Sequence, residues 1–157
     1  IENAELWLAG EGDLSQFLRE KTKHLQIEDR VKFLGYLLPE ELQKITPQAT
    51  IGINLLKNTS LNYYYSLANK TFDYVQAGIP AIHMNFPEYH QLMEEFEVGI
   101  LVENLEKATL VNAVNELLQN KVLYRRLREN CQQAKKKWNW QNEAKKLISF
   151  YAKVFQS

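Results

Sequence analysis

Asn69-Lys70-Thr71-Phe72-Asp73-Tyr74-Val75-Gln76-Ala77-Gly78-Ile79-Pro80 is the stretch on which the reading of this chain turns. It holds a polar helix start, a glycine stop and the opening of an apolar strand without a break. Asn69 is placed to accept a hydrogen bond from the free N–H groups of a first helical turn. Gly78 is placed to end that helix in the left-handed conformation, and Pro80 keeps it from resuming. Lys70 and Asp73, three residues apart, share one face of the first turn. An ammonium and a carboxylate beside the positive end of a helix dipole suit a ligand with phosphate at one end and hydroxyls at the other.

On both sides of this segment, apolar runs rich in β-formers alternate with runs of helical period. Strands are predicted over 5–9, 31–34, 49–56, 79–84 and 99–102. A helix is predicted over 13–25, with Leu14, Phe17, Leu18 and Leu25 on one stripe and Asp13 and Gln16 as a capping pair. Pro39 opens a short helix through Ile45. Pro87 opens another, whose apolar face is Tyr89, Leu92, Met93 and Phe96. Three consecutive helices close the chain, over 105–119, 121–136 and 139–155. Such alternation implies an α/β fold: a Rossmann-like three-layer α/β/α arrangement, its parallel sheet of about five strands joined by right-handed crossovers. No repeat or linker divides residues 1–157, so a single domain is expected. The chain opens on Ile1 and enters a strand pattern at once, which reads as a piece of a longer protein.

Composition excludes several classes. With 157 residues, 45% of them hydrophobic, the chain can bury a sizeable core. Nineteen basic residues balance nineteen acidic ones, so no net field favours nucleic acid or an anionic membrane. The basic face of Lys121, Arg125, Arg126, Arg128, Lys135, Lys136 and Lys137 therefore reads as solvated helix rather than a nucleic-acid surface. Cys131 is the only cysteine, which rules out an internal disulfide and sulfur-ligated metal clusters and fits a reducing compartment. No apolar run approaches the roughly 20 residues that span a bilayer.

Open parallel sheets bind ligands beyond the C-terminal ends of their strands. The loops concerned are 10–13, 35–38, 57–68 and 85–88. Gly10 and Gly12 admit a diphosphate close to the backbone, or simply make a tight turn; the third glycine of a dinucleotide fingerprint is missing. Gly35 exposes backbone amides and Tyr36 offers a ring to a base, although a tyrosine after a strand more often packs. The loop from Asn58 to Tyr65 has no period and reads as functional or mobile. Its Tyr63, Tyr64 and Tyr65 either cover a sugar or base, or pack down. None of the three histidines has a metal-ligand partner at a suitable spacing; His83, one residue from a strand end, is the one to watch. Trp138, Trp140, Phe150 and Tyr151 are expected mostly in the core, some of them packing on a neighbouring domain.

Leu8-Ala9-Gly10-Glu11-Gly12, Val31-Lys32-Phe33-Leu34-Gly35-Tyr36, Asn69-Lys70-Thr71-Phe72-Asp73-Tyr74, Ala77-Gly78-Ile79-Pro80 and Gly99-Ile100-Leu101-Val102 occur in an order and spacing that resemble the C-terminal half of family 4 glycosyltransferases of the GT-B fold. The resemblance covers nearly the whole chain. It implies a domain that binds a nucleotide-sugar donor, UDP- or GDP-linked. By resemblance Gly10 and Gly12 lie near the donor, Gly35 and Tyr36 border the base, Asn69 belongs to the donor site, Lys70 stands on the phosphate side, and Asp73 holds the ribose hydroxyls. The family usually has glutamate where Asp73 stands, and many members carry a second glutamate eight positions earlier, against the donor sugar. Here that position is Tyr65.

The resemblance further implies transfer with retention, without metal or cofactor, in a bacterial enzyme that makes a polysaccharide or glycolipid. It places the enzyme in the cytoplasm, with the inner face of the membrane as a further location. The acceptor-binding N-terminal domain and the first strand-helix unit of the donor domain are expected to lie outside this chain, which alone would be inactive. A GT-B-like nucleotide-sugar epimerase and a non-catalytic binding or assembly module stay open as alternatives.

Overall fold

Strand and helix alternate from Leu6 to Val102 in the computed structural model, which describes residues 4–155. The chain forms two compact units, 1–45 and 46–157. In the first, β1 (Leu6–Ala9) and β2 (Val31–Gly35) pair in parallel, with Leu6 opposite Val31 and Leu8 opposite Phe33. Helix α1 (Ser15–His24) crosses between them and α2 (Pro39–Ile45) follows. The predicted Asp13/Gln16 capping pair does not form. A turn closed by the Ser15 N–H on the Gly12 carbonyl uses up Asp13, and α1 begins two residues late. The Ser15 hydroxyl accepts the Gly12 N–H at 2.9 Å, while the Gln16 amide reaches forward to Glu20 at 3.0 Å.

The second unit contains a three-stranded parallel sheet in the order β3 (Gly52–Asn54), β4 (Ala81–Met84), β5 (Gly99–Val102). Ile53 stands opposite Ile82, and Ile82 opposite Ile100. Every residue of β4 is buried, so both faces of the central strand are covered, as a parallel sheet requires. The helices are α3 (Leu61–Tyr64), α4 (Asn69–Ala77), α5 (Pro87–Glu95), α6 (Lys107–Gln119), α7 (Lys121–Lys137) and α8 (Trp140–Val154). The five expected strands are thus present as a pair and a triplet. The third is shorter than the 49–56 predicted, because only 52–54 find a partner in β4.

One core cluster joins Ile82, Met84, Phe86, Tyr89, Val102, Ala113, Leu117 and Leu127; a second joins Val75, Val98, Cys131 and Ala134. Each such aliphatic or aromatic burial stabilises by about 1.5–3 kcal/mol. Burial also pushes the Cys131 thiol up to about 12, which leaves it a packing residue. The basic face of α7 is partly spent on local ties. Arg126 pairs with Glu97 at 2.7 Å, Arg128 donates to the Gly78 carbonyl at 3.3 Å, and Lys135 to that of Gln76 at 2.7 Å.

The segment that opened the sequence reading folds as a helix over its expected length, with one correction at its start. Gly78 ends α4 at φ +73°, where its N–H reaches the Val75 carbonyl and the Ile79 N–H that of Tyr74. At the other end the cap is Ala68, at ψ 139°, and Asn69 is already the first helical residue. A helical residue cannot bring its side chain onto the N–H groups ahead of it, so Asn69 makes no capping bond.

Two further expectations change. The loop over 57–68 contains α3, a single turn capped by the Ser60 hydroxyl on the Tyr63 N–H at 3.3 Å; one turn is too short to show a period. Of the four late aromatics expected mostly in the core, only Trp138 packs there, edge-on to Phe96 and Phe72. Trp140, Phe150 and Tyr151 are exposed, because α8 buries none of its residues.

Candidate functional site

In the first unit the loops that leave β1 and β2 are tied together. The Gly10 N–H donates to the Gly35 carbonyl at 2.7 Å, with Gly10 at φ +122° and Gly35 at φ +68°. Side chains other than glycine rarely adopt either angle, so both positions are set by backbone geometry. Open space surrounds Gly10 and Gly12 on the side where a Cβ would stand. Glu11 is anchored to Arg19 at 2.9 Å; the Ser15 hydroxyl and Arg19 hold its carboxyl below the ordinary range. Arg19 in turn lies over the Phe33 ring, 4.5 Å from its centre. Tyr36 is 75% exposed.

In the second unit the predicted residues gather at the first turn of α4. Lys70 and Asp73 are both exposed and make no ion pair, with each other or with any described residue. Partial desolvation raises the Asp73 carboxyl above its ordinary value, with no cation to oppose the effect. An ammonium and a carboxylate thus stand ready for a ligand at the positive end of a nine-residue helix. Tyr65, at the end of α3, is 57% exposed and meets Tyr64 edge-on, with ring centres 5.0 Å apart. Tyr64 itself turns down onto Phe86 at 5.3 Å. The tyrosine triplet therefore divides: one ring packs, while Tyr63 and Tyr65 stay exposed.

Beneath that turn lies a group that sequence reading only partly found. Asn54, Thr71 and His83 are buried to 1% exposure or less, beside the fully buried Tyr89. The Asn54 amide donates to the Thr71 hydroxyl at 3.1 Å and the Tyr89 hydroxyl at 3.1 Å, and approaches His83 Nδ1 at 3.4 Å. The His83 ring stacks on Tyr89 at 5.3 Å. Burial, and secondarily the charge of Lys70, push its pKa down to about 4, so it is neutral at pH 7. His83 was singled out by its place near a strand end. Tyr89 was hidden in the apolar face of α5, where its ring belongs but its hydroxyl does not. Asn54 carried one signal, a lone amide interrupting the apolar run Ile51-Gly52-Ile53-Asn54-Leu55-Leu56.

Among the described residues no group of three or more His, Cys, Asp or Glu side chains is placed to hold a metal ion. No described helix is long and apolar enough to cross a membrane.

Parallel strands alternating with helices define a Rossmann-like class of α/β fold. The chain belongs to the family described as glycosyl transferases group 1, whose model matches residues 1–120. Its fold is that of GT-B glycosyltransferases. Sucrose-phosphate synthase from Thermosynechococcus elongatus superposes with a TM-score of 0.81 at 20% identity, over 99% of this chain and 40% of that one. The pneumococcal O-GlcNAc transferase GtfA, solved with UDP and GlcNAc, gives 0.77 at 19% identity, over 98% of this chain and 30% of that one. Anabaena HepE, solved with UDP, gives 0.76 at 18% identity, over 95% of this chain and 42% of that one. The chain thus spans less than half the length of these structures. Among curated proteins its sequence has no match.

Proposed function

We propose that this chain is the nucleotide-sugar donor-binding part of a glycosyltransferase that transfers with retention and without a metal, building a bacterial polysaccharide or glycolipid at the cytoplasmic side. The observation that carries the reading is the first turn of α4, where Lys70 and Asp73 are exposed and unpaired above a buried polar floor. In this reading Lys70, with Asn69 beside it, takes the diphosphate at the positive end of the helix, and Asp73 accepts from the ribose hydroxyls. Gly10, Gly12, Gly35 and Tyr36 serve the diphosphate and the base, and Tyr65 borders the sugar. The UDP bound in GtfA and HepE supports uracil as the base. Helix dipole and cation would stabilise the leaving nucleoside diphosphate as its charge develops.

An acceptor-binding domain is the partner this reading requires. Its support is α8, on which Trp140, Ala144, Leu147, Tyr151 and Val154 recur at helical spacing, with the large members exposed. A stripe of that kind is a surface for another folded element to cover.

The test is thermal denaturation of this chain with UDP, GDP, ADP and CMP. A donor module at about 100 times Kd gains about 2.7 kcal/mol from its nucleotide. A shift with UDP that disappears in Asp73→Ala supports the reading; no shift with any of the four removes it.

A further inference from the structure

Asn54 closes β3, Thr71 lies in the first turn of α4, His83 comes from β4 and Tyr89 from α5. Four elements therefore meet in one buried polar knot. The knot is not fully satisfied: Asn54 Oδ1 and His83 Nε2 are buried without a hydrogen-bond partner. If the Asn54 amide donates to Nδ1, the ring proton sits on Nε2 and has no acceptor. A buried polar group left unpaired lowers stability, and apolar side chains of similar volume would join the same elements without that cost.

What an apolar knot would lack is direction. The Tyr89 hydroxyl accepts the Ala68 N–H at 3.0 Å, and the Asn54 amide bonds the Thr71 hydroxyl. These two bonds fall immediately before and after Asn69 and Lys70. They hold the first turn of α4 at a set height and rotation, although its cap residue supplies no side-chain bond of its own.

We propose that Asn54, His83 and Tyr89 are positioning residues that set where Lys70 and Asp73 stand. Asn54 and Tyr89 act by hydrogen bonds, and His83 by stacking on the Tyr89 ring. None of the three touches the ligand. The value of the arrangement to binding rests on the donor-site reading above; the arrangement itself does not.

Two measurements separate these claims. The first is amide hydrogen exchange of the ligand-free chain. Tyr89→Phe, which keeps the ring and removes the acceptor, should speed exchange at residues 68–73 selectively, and Thr71→Val should do the same. The core variant Leu127→Ala should lower the melting temperature without that local signature. Unchanged exchange at 68–73 in Tyr89→Phe overturns the proposal, whether or not a nucleotide binds. The second is UDP titration by calorimetry. Tyr89→Phe should weaken Kd about tenfold, since small misplacements of binding groups are costly, while Leu127→Ala leaves it unchanged. A Kd in Tyr89→Phe equal to that of the unmodified chain, beside a lowered melting temperature, would show the knot to be structural only and would also overturn the proposal. Absence of UDP binding by the unmodified chain overturns the donor-site reading, and the exchange result then decides the positioning claim by itself.

Discussion

The hydroxyl of Tyr89 accepts the backbone N–H of Ala68 at 3.0 Å, so a side chain on α5 ties down the residue that caps α4, which has no side-chain cap of its own. Stability and ligand binding meet at this contact, because the ring that stacks on Tyr89 belongs to a titratable group buried in its neutral form.

That group predicts a pH dependence. The pKa of His83 falls from 6.5 to about 4 on folding, so between those values the unfolded chain binds more protons than the folded one. Stability is then full above about pH 6.5 and declines as pH falls toward 4, by about 3–4 kcal/mol in all (6.5 − 4 = 2.5 units at about 1.4 kcal/mol each). Urea unfolding across this window should show the decline in the unmodified chain and a flatter profile in His83→Leu. Identical profiles would mean that the ring is not buried neutral.

Asp73 behaves oppositely in sign. Desolvation raises its carboxyl, so it takes up a proton at a higher pH than an ordinary aspartate. The ionised form accepts through both oxygens with a full charge, whereas protonation turns one of them into a donor and leaves only neutral acceptance. UDP affinity should therefore weaken on acidification, with a midpoint above the usual aspartate value, and Asp73→Asn should bind weakly at every pH. Calorimetric titrations at several pH values give the answer. An affinity unchanged in Asp73→Asn would remove the residue from the site.

Lys70 is separable from Asp73 by ligand choice. Lys70→Ala should weaken UDP by about tenfold, the loss of one charge-assisted contact, and leave uridine almost unaffected. Equal losses for both ligands would place the ammonium near the base or ribose rather than the phosphates.

Gly78 tests the end of the same helix. At φ +73° an added Cβ is strained, and it would also overlap the Gln132 amide. Gly78→Ala should cost about 1–2 kcal/mol in chemical denaturation, chiefly from the backbone angle, because the Gln132 side chain can move away. No loss would show that the end of α4 relaxes freely.

The exposed stripe of α8 predicts self-association. Trp140 and Tyr151 on that stripe are 68% and 50% exposed. Replacing both with glutamate should keep the chain monomeric, by light scattering, at concentrations where the unmodified chain associates. The stability change should stay within about 0.5 kcal/mol per site, as for other surface positions. A large destabilisation would mean that these side chains are packed within the chain.

Much of the architecture was legible because it depends on local rules. The order of strands and helices, the left-handed stop at Gly78, the proline-opened α2 and α5 and the three closing helices follow from periodicity and backbone preference alone. Lys70 and Asp73 were legible too, since residues three apart on a helix share a face wherever the helix lies. Sequence failed where two patterns competed for the same residues. Asp13 was lost to the Gly12–Ser15 turn and Asn69 to the helix it was expected to cap, while α8 showed a buried-face pattern with no surface to bury it.

By itself, then, the sequence determined the alternation of elements, the family and which charged side chains the start of α4 carries. Only the tertiary structure decided what supports that turn. Asn54, His83 and Tyr89 lie 15, 14 and 20 residues from Asn69, Asn69 and Asn69 respectively along the chain (69 − 54, 83 − 69, 89 − 69). Hydrogen bonds between strands and helices so separated leave no periodic trace, because their partners are chosen by packing in space.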